Sequence, residues 1–249
     1  MNSNFYTFEN HNTNTPLSYL SALSNISKHN DHWGAVMGYD WMVETPSLIF
    51  TEIDDSESIG VIEDIECLTK AQNGAEIRAF LFKNKLITAF PVLNSSHYTN
   101  VKCSAISDWN SFPIERTVQV TLPNQSILSA FCVDSWNNKS TYQPNADVKL
   151  GFSAFPYRMS QSSDEFSLKP MDEYDDEGTS YEFSGGQLSD IEPAETFYHL
   201  GWFANLNFPE ESDLPPIRVW IHKKNIEGTP NSEARYSGTF WLQCSLEAL

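Results

Sequence analysis

The chain has 249 residues, long enough to bury a core in one large β domain or two small ones. Apolar residues make up 40% of it and aromatic residues 13%, which excludes disorder throughout, because burial of that much apolar surface offsets the entropy of ordering. Thirty-three Asp and Glu face fifteen Lys and Arg, a formal charge of −18; such a field repels phosphate backbones and anionic membranes and attracts basic partners.

Residues 1–14 are rich in Asn and Thr and lack a basic stretch followed by an apolar one, so no signal peptide is expected. No apolar run reaches about 18 residues, so no membrane span is expected, and the cytoplasm is the expected location. Thr15-Pro16 reads as a helix start, with Thr as N-cap and Pro in the first turn, and Leu17, Leu20, Leu23 and Ile26 follow at helical spacing. His29-Asn30-Asp31-His32 comes next. Two imidazoles three apart on a helix could share a metal with Asp31, but the position just after the helix favours a polar loop.

From Val36 the pattern turns to β. Ser47 to Thr51 and Ile59 to Leu68 are strand candidates. Glu76 to Phe82 and Leu86 to Val92 read as a hairpin through Lys83-Asn84-Lys85, where Asn tolerates the positive φ of a tight turn. Val101 to Ile106, Arg116 to Leu122, Ile127 to Val133 and Val148 to Phe155 follow. In the last, Val148, Leu150, Phe152 and Ala154 alternate with Lys149, Gly151 and Ser153, the period of a sheet with one buried face. A loop rich in Ser and acid precedes Tyr181 to Phe183, Gly201 to Leu206, Ile217 to His222 and Tyr236 to Leu246. The expected fold is mainly β, a barrel or sandwich with one short N-terminal helix.

The expected organisation is a polar N-terminal segment (1–35), a first β unit (36–158), an acidic loop (159–180) and a second β unit (181–249). Gly60-Val61-Ile62-Glu63-Asp64-Ile65-Glu66 resembles Gly186-Gln187-Leu188-Ser189-Asp190-Ile191-Glu192. This recurrence allows two related units, whose size suits OB-like barrels of about five strands.

The chain holds no GxGxxG, no GxxxxGK[ST] and no HExxH. Gly151-Phe152-Ser153-Ala154-Phe155 lacks the closing Gly of a nucleophile elbow, so Ser153 reads as a strand residue. Cys67, Cys103, Cys132 and Cys244 form no CxxC and read as buried thiols. Asp172-Glu173-Tyr174-Asp175-Asp176-Glu177-Gly178 misses the EF-hand register, because Gly178 at the sixth position puts Ser184 at the twelfth. The expectation is no catalytic residue, no metal and no cofactor.

Between Tyr157 and Asp213 fourteen acids face only Arg158 and Lys169, a local balance of −12. Self-repulsion on that scale costs stability, and a basic protein partner would supply the reason for it. The expected partner-binding residues are Asp172, Glu173, Asp175, Asp176 and Glu177, with Tyr174, Tyr181 and Trp202 as aromatic anchors. In physical character, though not in any motif, the chain is similar to nuclease and toxin inhibitors such as bacterial immunity proteins. The leading expectation is therefore a non-enzymatic acidic binding protein of inhibitor or immunity type. One alternative is an OB-like single-strand nucleic-acid binder, if Lys83, Lys85, Lys102, Lys139 and Lys149 gather on one face. Another is a carbohydrate-binding or glycoside-active protein built on paired carboxylates and Trp.

Overall fold

The computed structural model describes residues 29–38, 56–62, 64–83, 85–109, 112–171 and 178–247. The expected helix from Thr15 and the strand candidate Ser47 to Thr51 fall outside them. The described elements are one α-helix, α1 (Asn30–Met37), a single 3-10 turn (Glu210–Ser212), and the strands β1 (Glu57–Ile62), β2 (Ile65–Gln72), β3 (Ala75–Phe82), β4 (Lys85–Val92), β5 (Tyr98–Trp109), β6 (Phe112–Thr121), β7 (Ile127–Cys132), β8 (Asp147–Gln161), β9 (Ser167–Pro170), β10 (Ser180–Thr196), β11 (His199–Asn207), β12 (Ile217–His222) and β13 (Arg235–Leu246). The molecule is mainly β, with these strands in a four-stranded and a nine-stranded sheet.

The small sheet is an antiparallel meander, β1-β2-β3-β4. The β3–β4 hairpin stands where the sequence places it. The stretch from Ile59 to Leu68, expected as one strand, instead folds back on itself, with Ile62 opposite Ile65. Asp64 makes the turn at φ 66, a conformation Asp tolerates better than most residues because its short side chain can bond locally.

The pairings of the large sheet close two five-strand rings that share one strand pair. In the first ring β8, β5, β6 and β7 pair antiparallel in turn, β7 runs parallel to β13, and β13 returns antiparallel to β8. In the second, β13, β10, β11 and β12 pair antiparallel in turn, and β12 runs parallel to β8. The lengths of β8 (15 residues) and β13 (12 residues) permit the sharing. One edge of each strand binds the other. The opposite edge of β8 takes β5 at Asp147–Gly151 and then β12 at Ser153–Ala154. The opposite edge of β13 takes β10 at Arg235–Trp241 and then β7 at Gln243–Cys244.

Ser153 and Gln243 face one another at the midpoint, each also adjoining a parallel strand. The strand order of residues 98–161 thus repeats in residues 180–246, about a pseudo-twofold axis through that pair. The Gly60 and Gly186 recurrence does not mark this repeat: it lies on β1, an edge of the small sheet, and on β10, inside the large one.

Two cores result. Val118, Leu128, Phe152, Ala154, Leu206, Val219, Phe240 and Leu242 fill the rings. Trp33, Phe80, Phe90, Trp109, Phe131, Phe155, Trp220 and Trp241 lie outside them, under α1 and the small sheet. This second layer explains why β8 is buried on both faces from Leu150 to Tyr157 rather than on one, as its alternation suggested. The expected acidic loop is also shorter than its sequence implies, since β8 continues to Gln161 and β9 lies within it.

Side chains from the rings hold α1 in place. Trp220 Nε1 donates to the Val36 carbonyl (2.9 Å), and Asn225 Nδ2 to that of Ala35 (2.8 Å). The helix stops at Gly38, which has φ 80; a Cβ there would meet the His222 ring at 2.5 Å, so both conformation and space require glycine.

Candidate partner-binding surface

The run Asp172, Glu173, Tyr174, Asp175, Asp176 and Glu177 lies outside the described residues. Of the acids between Tyr157 and Asp213 that are described, all nine are exposed. They do not form one patch. Glu182 and Glu195 sit near opposite ends of the 17-residue β10, on the order of 40 Å apart at ~3.3 Å per residue. One group surrounds a cleft beside Arg158 and Lys169. Another (Asp190, Glu192 and Glu195) follows the far half of β10.

Tyr181, expected as a contact residue, belongs to the core. It is 3% exposed, and its hydroxyl accepts from Ser129 N (2.7 Å) and donates to Ser129 O (3.0 Å). Burial of a phenol that finds both partners inside leaves nothing for a ligand. Trp202 is half-buried on β11, packed against the ring core.

The β10–β11 hairpin has two unlike faces. Thr196 Oγ1 donates to the Gln72 carbonyl, Phe203 is buried, and this side rests on the small sheet. On the other side Pro193 lies opposite Trp202, and Glu195 opposite Leu200. Leu200 is 52% exposed. Arg218 lies over the Phe203 ring at 5.2 Å and reaches to 3.8 Å from Glu192.

The hairpin turn is Phe197-Tyr198, closed by Thr196 opposite His199, with φ 50 and 63. Two successive left-handed residues describe a primed turn, normally given to Asn-Gly or Gly-Gly. A side chain there costs about 1–2 kcal/mol. Phe197 offsets that cost by burial, edge-on to Trp33 at 5.8 Å. Tyr198 is 69% exposed. The sequence places Tyr198 among the aromatics beside the acid but gives no sign of the turn that exposes it and Leu200, since a turn without Gly, Asn or Asp gives no signal. Sequence reasoning also ended the β10 strand near Phe183, because two bulges and Pro193 break the period-2 pattern.

His29 and His32, expected in a polar loop, lie instead at the start of α1, at 0% and 1% exposure. His29 Nε2 bonds Glu115 Oε1 (2.8 Å) and its Nδ1 bonds His32 Nδ1 (2.9 Å), while Thr88 Oγ1 also donates to Glu115. His32 stacks on Trp241 at 3.7 Å, and His29 on Trp109 at 5.5 Å. Both nitrogens of His29 are committed, so it has no lone pair to offer an ion. Among the described residues no group of three or more His, Cys, Asp or Glu is arranged to hold a metal.

All four cysteines are free and buried. Burial pushes the Cys67 thiol up to about 12 and the Cys103 thiol up to about 11, and raises Cys132, opposite Cys244, well above the ordinary value. Thiols held protonated in this way are poor nucleophiles. Ser153, also buried, is an ordinary strand residue of β8.

Lys102 and Lys149 share one shallow depression, but Asp147 lies between them and Lys149 binds Glu247 at 2.7 Å. Lys83 stands at the end of β3 in the other sheet, over the Phe82 ring. No protein-family model matches the chain, and no curated protein matches it.

Proposed function

We propose that the protein is a non-enzymatic binder that captures a basic protein partner through the β10–β11 hairpin, as an inhibitor or immunity-type protein acting in the cytoplasm. Tyr198 and Leu200 serve as anchors, and Asp190, Glu192 and Glu195 steer the partner in. The observation that carries this reading is Tyr198, a left-handed aromatic residue 69% exposed at a turn where glycine would be cheaper. Residues held in sparsely populated backbone conformations cluster at functional sites. Aromatic anchors beside exposed charge give affinity and association rate together.

The test uses the immobilised chain, a host extract at low salt and stepwise salt elution, with the retained proteins identified by mass. Basic proteins should elute as salt rises and should be lost with the Tyr198→Gly/Leu200→Ser double variant. Recovery of only neutral or acidic proteins, indifferent to salt, would sink the proposal.

The five-strand rings carry a second reading, an OB-like single-strand binder, with Lys102 and Lys149 tracking the backbone. Its test is the anisotropy of a labelled oligonucleotide at low salt. No change on adding protein would end it.

A further inference from the structure

Beyond the hairpin, we propose that the cleft formed by β8, β13, β10 and β9 binds a small zwitterion, of the size and class of a free amino acid or dipeptide. Four residues stand directly opposite one another across these strands: Arg158 faces Thr239, Thr239 faces Glu182, and Glu182 faces Lys169. Directly opposed residues project to one side of a sheet. Arg158, Glu182 and Lys169 of this row line the same space, a carboxylate with a cation on either side of it, and Thr239 is buried between Arg158 and Glu182. Ser160 and Ser237, also opposite one another, form the next row, and Glu227 closes one side. The cleft has a volume of about 380 Å³, within the range of small-ligand sites.

Two features point to an occupant. Among the described residues, Arg158, Lys169, Glu182 and Glu227 enter no ion pair, although opposite charges line one cleft. The hydroxyls Thr239 Oγ1 and Ser237 Oγ are both buried and lack a hydrogen-bond partner, and Thr239 is only 2% exposed. Ser237 belongs to the lining of the cleft, and Thr239 lies between Arg158 and Glu182 in the row. Native proteins seldom leave such groups unsatisfied, since each costs about 1–3 kcal/mol.

The charge pattern selects the ligand class. An anion alone would meet Glu182 and Glu227, and a cation alone would meet Arg158 and Lys169. A molecule carrying both charges sets its carboxylate on the guanidinium and its ammonium on the carboxylates. The pseudo-twofold relation supplies an internal control. It carries Thr239 onto Lys149 and Glu182 onto Asn100, so the equivalent positions of the Lys102 depression put a cation where the cleft has a hydroxyl and an amide where it has a carboxylate.

The experiment is saturation-transfer NMR and calorimetry on the full chain. The twenty free amino acids and Gly-Gly are the probes at millimolar concentration, with inorganic phosphate as the simple anion and guanidinium as the simple cation. At least one zwitterion should bind. Arg158→Gln and Glu182→Gln should each weaken it roughly tenfold or more, while Lys102→Gln leaves it unchanged. Both targets are exposed, so the variants should fold. The proposal is overturned if no zwitterion binds, if phosphate or guanidinium binds as well as the best zwitterion, or if Glu182→Gln leaves affinity intact. None of these results depends on whether the hairpin has a partner.

Discussion

Glu115 is the one Asp or Glu among the described residues with no exposed surface, and it accepts from both His29 and Thr88. Removing one member of a buried polar pair leaves the other uncompensated. Glu115→Ala should therefore cost about 3–5 kcal/mol in urea denaturation. Glu115→Gln keeps an acceptor and should cost clearly less. The thiols make a second residue-level prediction. The unfolded Cys67 thiol titrates at 9.0, whereas the native one holds its proton to about 12. Below 9.0 both states are protonated and the contribution of burial is complete. Above it the unfolded chain releases a proton that the native state retains. Stability should then fall by about 1.4 kcal/mol per pH unit for this thiol, and Cys67→Ala should flatten the slope. Denaturation series on the alkaline side measure both.

At the scale of elements, the joint between the two sheets depends on Gln243. Its Nε2 donates to the Pro91 carbonyl (2.7 Å), and its Oε1 accepts from Leu93 N (3.1 Å). Gln243→Leu would bury both backbone groups unpaired and should cost about 2–4 kcal/mol, with faster hydrogen exchange at the Leu93 amide. The joint was not legible in the sequence, because the partners lie far apart in the chain. The same distance hid Glu115 from the His29-His32 pair, which by itself looks like a loop. Elements whose signal is local were legible: the β3–β4 hairpin, with an apolar run on each side of a turn, and β12, with its bounds intact. Elements that needed unusual turn chemistry were not. Asp64 splits one apparent strand into two, and Phe197-Tyr198 turns a chain without a turn residue. Of the expected contact residues that are described, Tyr181 belongs to the core and Trp202 is half-buried, while the exposure of Tyr198 follows from a turn that no local residue signals.

At the scale of the molecule, neither ring closes with strands of its own repeat. The first lacks β13 unless residues 235–246 are present, and the second lacks β8. Cutting the chain between Asp164 and Glu165 should give two fragments that separately lack a cooperative thermal transition and recover one when mixed. Independent transitions in the separate fragments would contradict the shared-strand arrangement. The pseudo-twofold pair at Ser153 and Gln243 carries a further meaning. Two separate copies of one repeat could satisfy the same pairings, each lending its last long strand to the other. That is the geometry of a strand-exchanged homodimer with isologous symmetry. Here the exchange is made inside a single covalent chain, so it no longer depends on concentration. The two halves are also free to diverge in sequence, so that Thr239 and Glu182 of one stand where the other has Lys149 and Asn100.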